Sequence, residues 1–209
     1  MTLLEAHDYL DLLIDKFDSA YFTTTEKNVF LELAITEFIN TNYSGFGINE
    51  RTRSTLKGLL NSDTLGGVTS TTAIAGYIEV TEDNIYTLHV DVAYNGQPPV
   101  TAKAVKVREY FDNRTDPFHQ PSENTPTWSY ASTSGDSYIV LNPVNNITYI
   151  NVTYIGRPDL ADAFASTSSD SVFKETHQQE IIQIATRKMS ANIESSNYEV
   201  QQEEAQKAG

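Results

Sequence analysis

Thr87-Leu88-His89-Val90-Asp91-Val92-Ala93-Tyr94-Asn95-Gly96 carries a period of two: Leu88, Val90, Val92 and Tyr94 alternate with polar neighbours. That alternation predicts a strand with one buried face, and Asn95-Gly96 predicts the turn that closes it. The same pattern predicts strands over 74–80, 100–110, 137–142 and 147–155. Residues 137–142 and 147–155 flank Pro143-Val144-Asn145-Asn146, which suggests a hairpin with a four-residue loop. The polar stretch Asn61–Thr72, with Gly66-Gly67, is expected to be a linker or loop. Asp112–Asp136, with Pro117, Pro121, Pro126, Phe118, Trp128 and Tyr130, is expected to be a long functional loop or a surface loop pinned by aromatics.

On either side of this region the period changes to that of a helix. Thr2 and Glu5 form a capping box ahead of Leu3, Ala6, Leu10, Leu13 and Phe17, with Tyr9, Leu12 and Ile14 widening the stripe, so a first helix is predicted to about Phe17. Asp18-Ser19-Ala20 is the expected turn. Thr23 and Glu26 cap a second helix over roughly 25–40, with Phe30, Leu33, Ala34 and Phe38 on one face. A short connection between amphipathic helices predicts an antiparallel hairpin. Ile48–Leu60 predicts a third helix with Leu56, Leu59 and Leu60 as its apolar face. It carries Arg51, Arg53 and Lys57, the densest basic cluster in the chain, which is either a solvated face or a contact for an acidic neighbour. Thr176 and Gln179 cap a last helix to about residue 195, with Phe173, His177, Ile181, Ala185, Met189 and Ile193 at spacing four. Residues 198–209 are Gln/Glu-rich and expected to form a frayed or extended tail. The expected class is α+β: a helical bundle from N-terminal helices and a C-terminal helix, with an inserted antiparallel β domain. The expected divisions are 1–72, 73–158 and 159–209.

Composition narrows the chemistry. The chain's 209 residues include no cysteine, which removes disulfides, thiolate metal sites and cysteine nucleophiles. Met1-Thr2-Leu3-Leu4-Glu5 has no basic leader, so no signal peptide is expected. No apolar run of membrane-spanning length occurs. Four Asn-x-Ser/Thr sequons, at Asn42, Asn113, Asn146 and Asn151, are read as chance in a Thr- and Asn-rich chain. Fourteen basic against 28 acidic residues give a net charge of −14, and residues 1–40 hold eight acids against Lys16 and Lys27. Such a surface repels phosphate backbones, so tight nucleic-acid binding is not expected. His7, His89, His119 and His177 are scattered without metal-ligand spacing, and His177 is best read as a satisfied buried or boundary histidine. There is no nucleophile elbow, phosphate loop or dinucleotide fingerprint. No catalytic residue, cofactor or metal is therefore expected, and an enzyme is not.

Two groups of residues resemble a known family. One is Pro117-Phe118-His119-Gln120-Pro121 with Trp128-Ser129-Tyr130, Tyr138-Ile139-Val140-Leu141-Asn142-Pro143 and Tyr154-Ile155-Gly156-Arg157-Pro158. The other is Thr176-His177-Gln178-Gln179-Glu180-Ile181-Ile182-Gln183-Ile184-Ala185, closing with Asn192-Ile193-Glu194-Ser195 and Tyr198. With the opening helix pair, these resemble the neck adaptor or ring proteins, the head-to-tail connectors of short-tailed, crAss-like bacteriophages. The resemblance implies a virion structural protein that joins portal to tail. Its partners would be copies of itself in a cyclic ring, a dodecamer by resemblance, the portal protein, and other neck ring or tail proteins. Duplex DNA would pass during ejection without specific binding, and no membrane would be involved. Assembly would take place in the host cytoplasm. Phe118, Trp128, Tyr130, Arg51, Arg53, Lys57 and Tyr198 are the expected interface residues. Two readings compete: a β-domain adhesin or decoration module of a virion or cell surface, suggested by the Thr/Tyr/Asn-rich strands, and a hydrolase with two carboxylates across a cleft.

Overall fold

The computed structural model describes residues 1–14, 22–66, 77–79, 84–115, 118, 120–133, 136–165 and 171–208, by backbone alone at 65–66, 77–79, 114–115, 132–133, 136–137 and 194–208. The chain is α+β. In order it forms α1 (Leu3–Leu13), α2 (Thr24–Tyr43), α3 (Glu50–Leu56), a 3₁₀ turn (Lys57–Leu59), β1 (Leu60–Gly66), β2 (Tyr77–Glu79), β3 (Asn84–Tyr94), β4 (Val100–Ala104), α4 (Val107–Thr115), β5 (Thr127–Thr133), β6 (Asp136–Asn142), β7 (Ile147–Gly156), α5 (Leu160–Ala163) and α6 (Glu175–Ala208). It divides into a helical unit, Met1–Leu59 with Arg157–Gly209, and a sheet unit, Leu60–Gly156.

In the helical unit both predicted N-terminal capping boxes form. Thr2 and Glu5 bond reciprocally at the start of α1, and Thr23 and Glu26 at the start of α2. Each exchanges two otherwise unpaired N–H groups for side-chain acceptors. The third box does not form. The Lys174 carbonyl accepts from the His177 and Gln178 N–H groups, so α6 begins at Glu175 and Thr176 sits inside its first turn. Helix α1 ends at Leu13 rather than near Phe17, and the turn expected at Asp18-Ser19-Ala20 lies outside the described residues. Helix α6 continues to Ala208, well past the predicted end near residue 195.

The core of this unit is built from Ala6 and Leu10 of α1, Leu31, Ala34, Ile35, Phe38 and Ile39 of α2, Leu56 and Leu59, and Phe173, Ile181, Ile182, Ala185 and Met189. Phe38 meets Phe173 edge to face at 5.5 Å between centroids, and His177 tilts against Phe38 at 5.7 Å. Leu13 and Leu33, placed on the buried stripes by their spacing, are exposed instead. On α2 the neighbouring residues Leu31, Ile35 and Ile39 take the inward face. Polar side chains tie the helices together: buried Lys27 pairs with Asp11, and Glu37 accepts from Arg187 at 2.7 Å and from Lys188 at 2.6 Å. Buried Gln178 donates to the Ala163 carbonyl at 2.8 Å and to the Ser171 hydroxyl at 3.0 Å, which satisfies an amide that would otherwise be costly to bury.

The sheet unit holds one sheet in the order β1-β7-β3-β4-β5-β6-β2. All its pairings are antiparallel except β4 with β5, which run parallel, so the sheet is mixed and not purely antiparallel as expected. The predicted 137–142/147–155 hairpin is also corrected. The two strands do flank the 143–146 loop, but β6 pairs with β5 and β2 while β7 pairs with β1 and β3. Four strand spacings of ~4.8 Å would separate β6 and β7 in a flat sheet, about 19 Å. The short 143–146 connection can span only about 18 Å when fully extended. The sheet therefore curls, and its concave side closes on a core of Val90, Val92, Tyr94, Ala102, Trp128, Ile139, Leu141, Ile150, Val152 and Tyr154. Two other expectations change. Leu60–Gly66, read as helix end and linker, is strand β1, paired along its length with β7. Residues 107–110, read as strand, open helix α4.

Candidate interaction surfaces

Each expected interface residue has a definite place. Trp128 lies on β5, not in a loop, and is only 5% exposed, so it is a core residue and not an interface anchor. It packs edge to face on Tyr130 with centroids 5.2 Å apart. Tyr130 is partly exposed, and its hydroxyl accepts from the Thr87 N–H at 3.2 Å, beside the bulge between Thr87 and His89. That bond fixes the ring. Phe118 is 91% exposed. Tyr198 lies on α6 at a position described by backbone alone.

Arg51 and Arg53 lie on α3 and Lys57 follows in the 3₁₀ turn, all exposed. Arg53 is committed locally: Nε donates to the Phe46 carbonyl at 3.1 Å, Nη2 to the Gly47 carbonyl at 3.2 Å, and Glu50 lies 3.7 Å from Nη1. It ties down the loop after α2. The sequence grouped these bases correctly, but one of them is a structural clamp.

Two surfaces went unread in the sequence. On α1, Leu4, Tyr9 and Leu12 are exposed on the side away from buried Ala6 and Leu10, with exposed Glu5 and Asp8 among them. On α4, Val107 and Phe111 are exposed one turn apart, among exposed charges of both signs: Lys103, Lys106, Arg108, Glu109 and Asp112, with Arg108 3.8 Å from Asp112. Helix α4 is held by buried Tyr110, whose hydroxyl donates to the Leu141 carbonyl at 3.0 Å. A signal for α4 was present in Val107, Tyr110 and Phe111 at helical spacing, but the Val105/Val107 alternation hid it.

The titratable groups serve the fold. The Glu5 and Glu26 carboxylates accept the N–H groups of Thr2 and Thr23, which lowers their pKa below the ordinary glutamate value. Glu37 is lowered chiefly by its bond from Lys188. Burial lowers the pKa of His177, Glu180 opposes this, and Lys174 and Arg51 add to it. Tyr94 is pushed up to about 12 by burial and by Glu123, and its hydroxyl donates to the Pro143 carbonyl at 3.0 Å. His7 bonds Asn28 at 2.8 Å, and His89 lies 3.4 Å from Asp91. His119 lies outside the described residues. Among the described residues no group of three or more His, Asp or Glu side chains is placed to hold a metal, and no helix is long and apolar enough to cross a membrane.

No protein-family model matches the chain, and no curated protein matches it in sequence.

Proposed function

We propose that this chain is a non-enzymatic ring component of the neck of a short-tailed bacteriophage, joining portal to tail around the DNA channel. In this reading the helices from the two ends of the chain form one bundle, and the β-rich segment is an insertion that faces the next ring or tail part. The observation that carries the assembly role is α6. At 34 residues it is roughly 51 Å long, against about 30 Å for α2, its 20-residue packing partner. Among the residues whose side chains are described, the last buried one on α6 is Met189, and residues 190–208 add about 28 Å of helix. In this reading the helix beyond Met189 gains its support from a partner, because isolated helical segments of this length are marginal in water. The net charge of −14 suits a channel through which duplex DNA slides. The phage assignment itself comes from the sequence resemblance.

The adhesin or decoration reading draws on the outer face of the sheet, where Ser62 donates to Asn151 at 2.8 Å and Thr101 to Asp91 at 2.6 Å in a hydroxyl-rich surface. The two readings part on a truncation after Ser195. In complementation of a phage lacking the gene, the neck reading predicts DNA-filled heads without attached tails. Normal particles from the truncated chain would contradict it.

A further inference from the structure

Asn95-Gly96 is the one asparagine–glycine pair among the chain's 15 asparagines. It forms the centre of a tight turn at the tip of the β3–β4 hairpin, closed by the Gln97 N–H on the Tyr94 carbonyl at 3.0 Å. Gly96 has φ +75°, which a residue with a side chain adopts only under strain. Both residues are exposed, and a Cβ at Gly96 would meet nothing within 4 Å. Among the described residues the Gly96 N–H makes no hydrogen bond, so its nitrogen is open to react. The Asn95 side chain is held loosely: Oδ1 accepts from the Thr148 hydroxyl at 3.3 Å, long for such a bond.

We propose that Asn95 is a site of self-modification, where the chain converts this asparagine to aspartyl and isoaspartyl residues without an enzyme. The Gly96 nitrogen gives its proton to solvent and attacks Asn95 Cγ. The N–Cγ bond forms, the Cγ–Nδ2 bond breaks, and the side-chain nitrogen leaves as ammonia. Water then opens the cyclic imide at either carbonyl. Opening at Cγ restores the main chain with an aspartate. Opening at the main-chain carbonyl leaves an isoaspartate, with one extra carbon in the main chain. The net reaction consumes one water and releases one ammonia, with no redox change. Glycine matters because a side chain on the following residue crowds the attacking nitrogen. Rival positions are held as well: the Thr125 N–H, after Asn124, donates to the Ser122 carbonyl at 3.0 Å, and Asn61 lies in β1, paired with Tyr154. The Asn95 N–H donates to the Asn146 carbonyl at 2.9 Å, while Glu123 accepts from Asn146 at 3.1 Å and from Gln97 at 3.4 Å. Conversion therefore adds a carboxylate to a group of turns already tied to Glu123, and the isoaspartyl form lengthens the turn that Asn146 holds. The site is independent of the ring reading.

The test is to age the purified chain at mildly alkaline pH and physiological temperature, folded and in urea, and to follow each asparagine by peptide mass spectrometry. In the folded chain Asn95 should convert at least tenfold faster than Asn61 or Asn124, and no more than tenfold slower than in urea. It should yield both aspartyl and isoaspartyl products. Asn95→Gln, which leaves Gly96 and the turn in place, should stay unconverted over the same time. A smaller lead over Asn61 or Asn124 overturns the proposal, as does a folded rate more than tenfold below that in urea, which would mean that the turn shields the amide. Aspartate as the sole product, or conversion of the glutamine variant at the parent rate, overturns the imide step.

Discussion

His177 shows how one residue couples the helical core to pH. Its ring lies against Phe38, and burial makes the folded chain a weaker proton acceptor there than the unfolded chain. A lowered folded pKa means that stability is complete above the unfolded value, near 6.5, and is lost as pH falls below it. Chemical denaturation between pH 7.5 and 5.5 should therefore show falling stability, and His177→Leu should flatten that slope. An unchanged slope in the variant would place the titration elsewhere. Glu5, Glu26 and Glu37 act in a separate window: their lowered values remove stability only as pH falls below about 4.5. Gly58 is a second sensitive position. A Cβ there would meet the Val172 backbone carbonyl at 2.7 Å, and backbone cannot rotate away as a side chain can. Gly58→Ala should cost about 1–3 kcal/mol in urea denaturation, the range for overpacking. Trp128→Ala should cost about 3–5 kcal/mol, because the ring fills the sheet core.

At the scale of elements, what was legible in the sequence was local. The capping boxes at Thr2 and Thr23 involve side chains three residues apart, so spacing alone reveals them. The Leu88–Tyr94 alternation likewise marked β3 because a half-buried strand repeats within itself. The misread elements depend on distant partners. Strand β1, Leu60-Asn61-Ser62-Asp63-Thr64-Leu65-Gly66, is too polar to look like a strand and exists because β7 supplies its ladder. Residues 143–146 look like a hairpin loop, but strand pairing with β5 and β3 overrides the local preference. Trp128 lies in a proline-flanked stretch that resembles a loop until β6 pairs with it. The basic cluster on α3 was legible as a group, whereas the role of Arg53 as a clamp on Phe46 and Gly47 required three dimensions. Helix α6 gives the clearest element-level prediction. Ile181 is fully buried, so Ile181→Asp places a charge in the core and should abolish the cooperative thermal transition. A transition at the parent temperature would show that α6 is not part of the core.

For the whole molecule, the central claim is that the chain exists to fit between other proteins. Truncation after Ser195 retains every α6 residue described as buried, through Met189, so the isolated chain should keep its stability within about 0.5 kcal/mol while losing the ability to assemble. The 34-residue α6 and a net charge of −14 are the features the proposed ring around DNA draws on. The most direct measurement is the copy number of the chain in purified particles of the phage proposed to encode it, by quantitative mass spectrometry against the portal protein. The account predicts the same number of copies as the portal; a number matching fibres or capsomers, or absence from the particle, would contradict it.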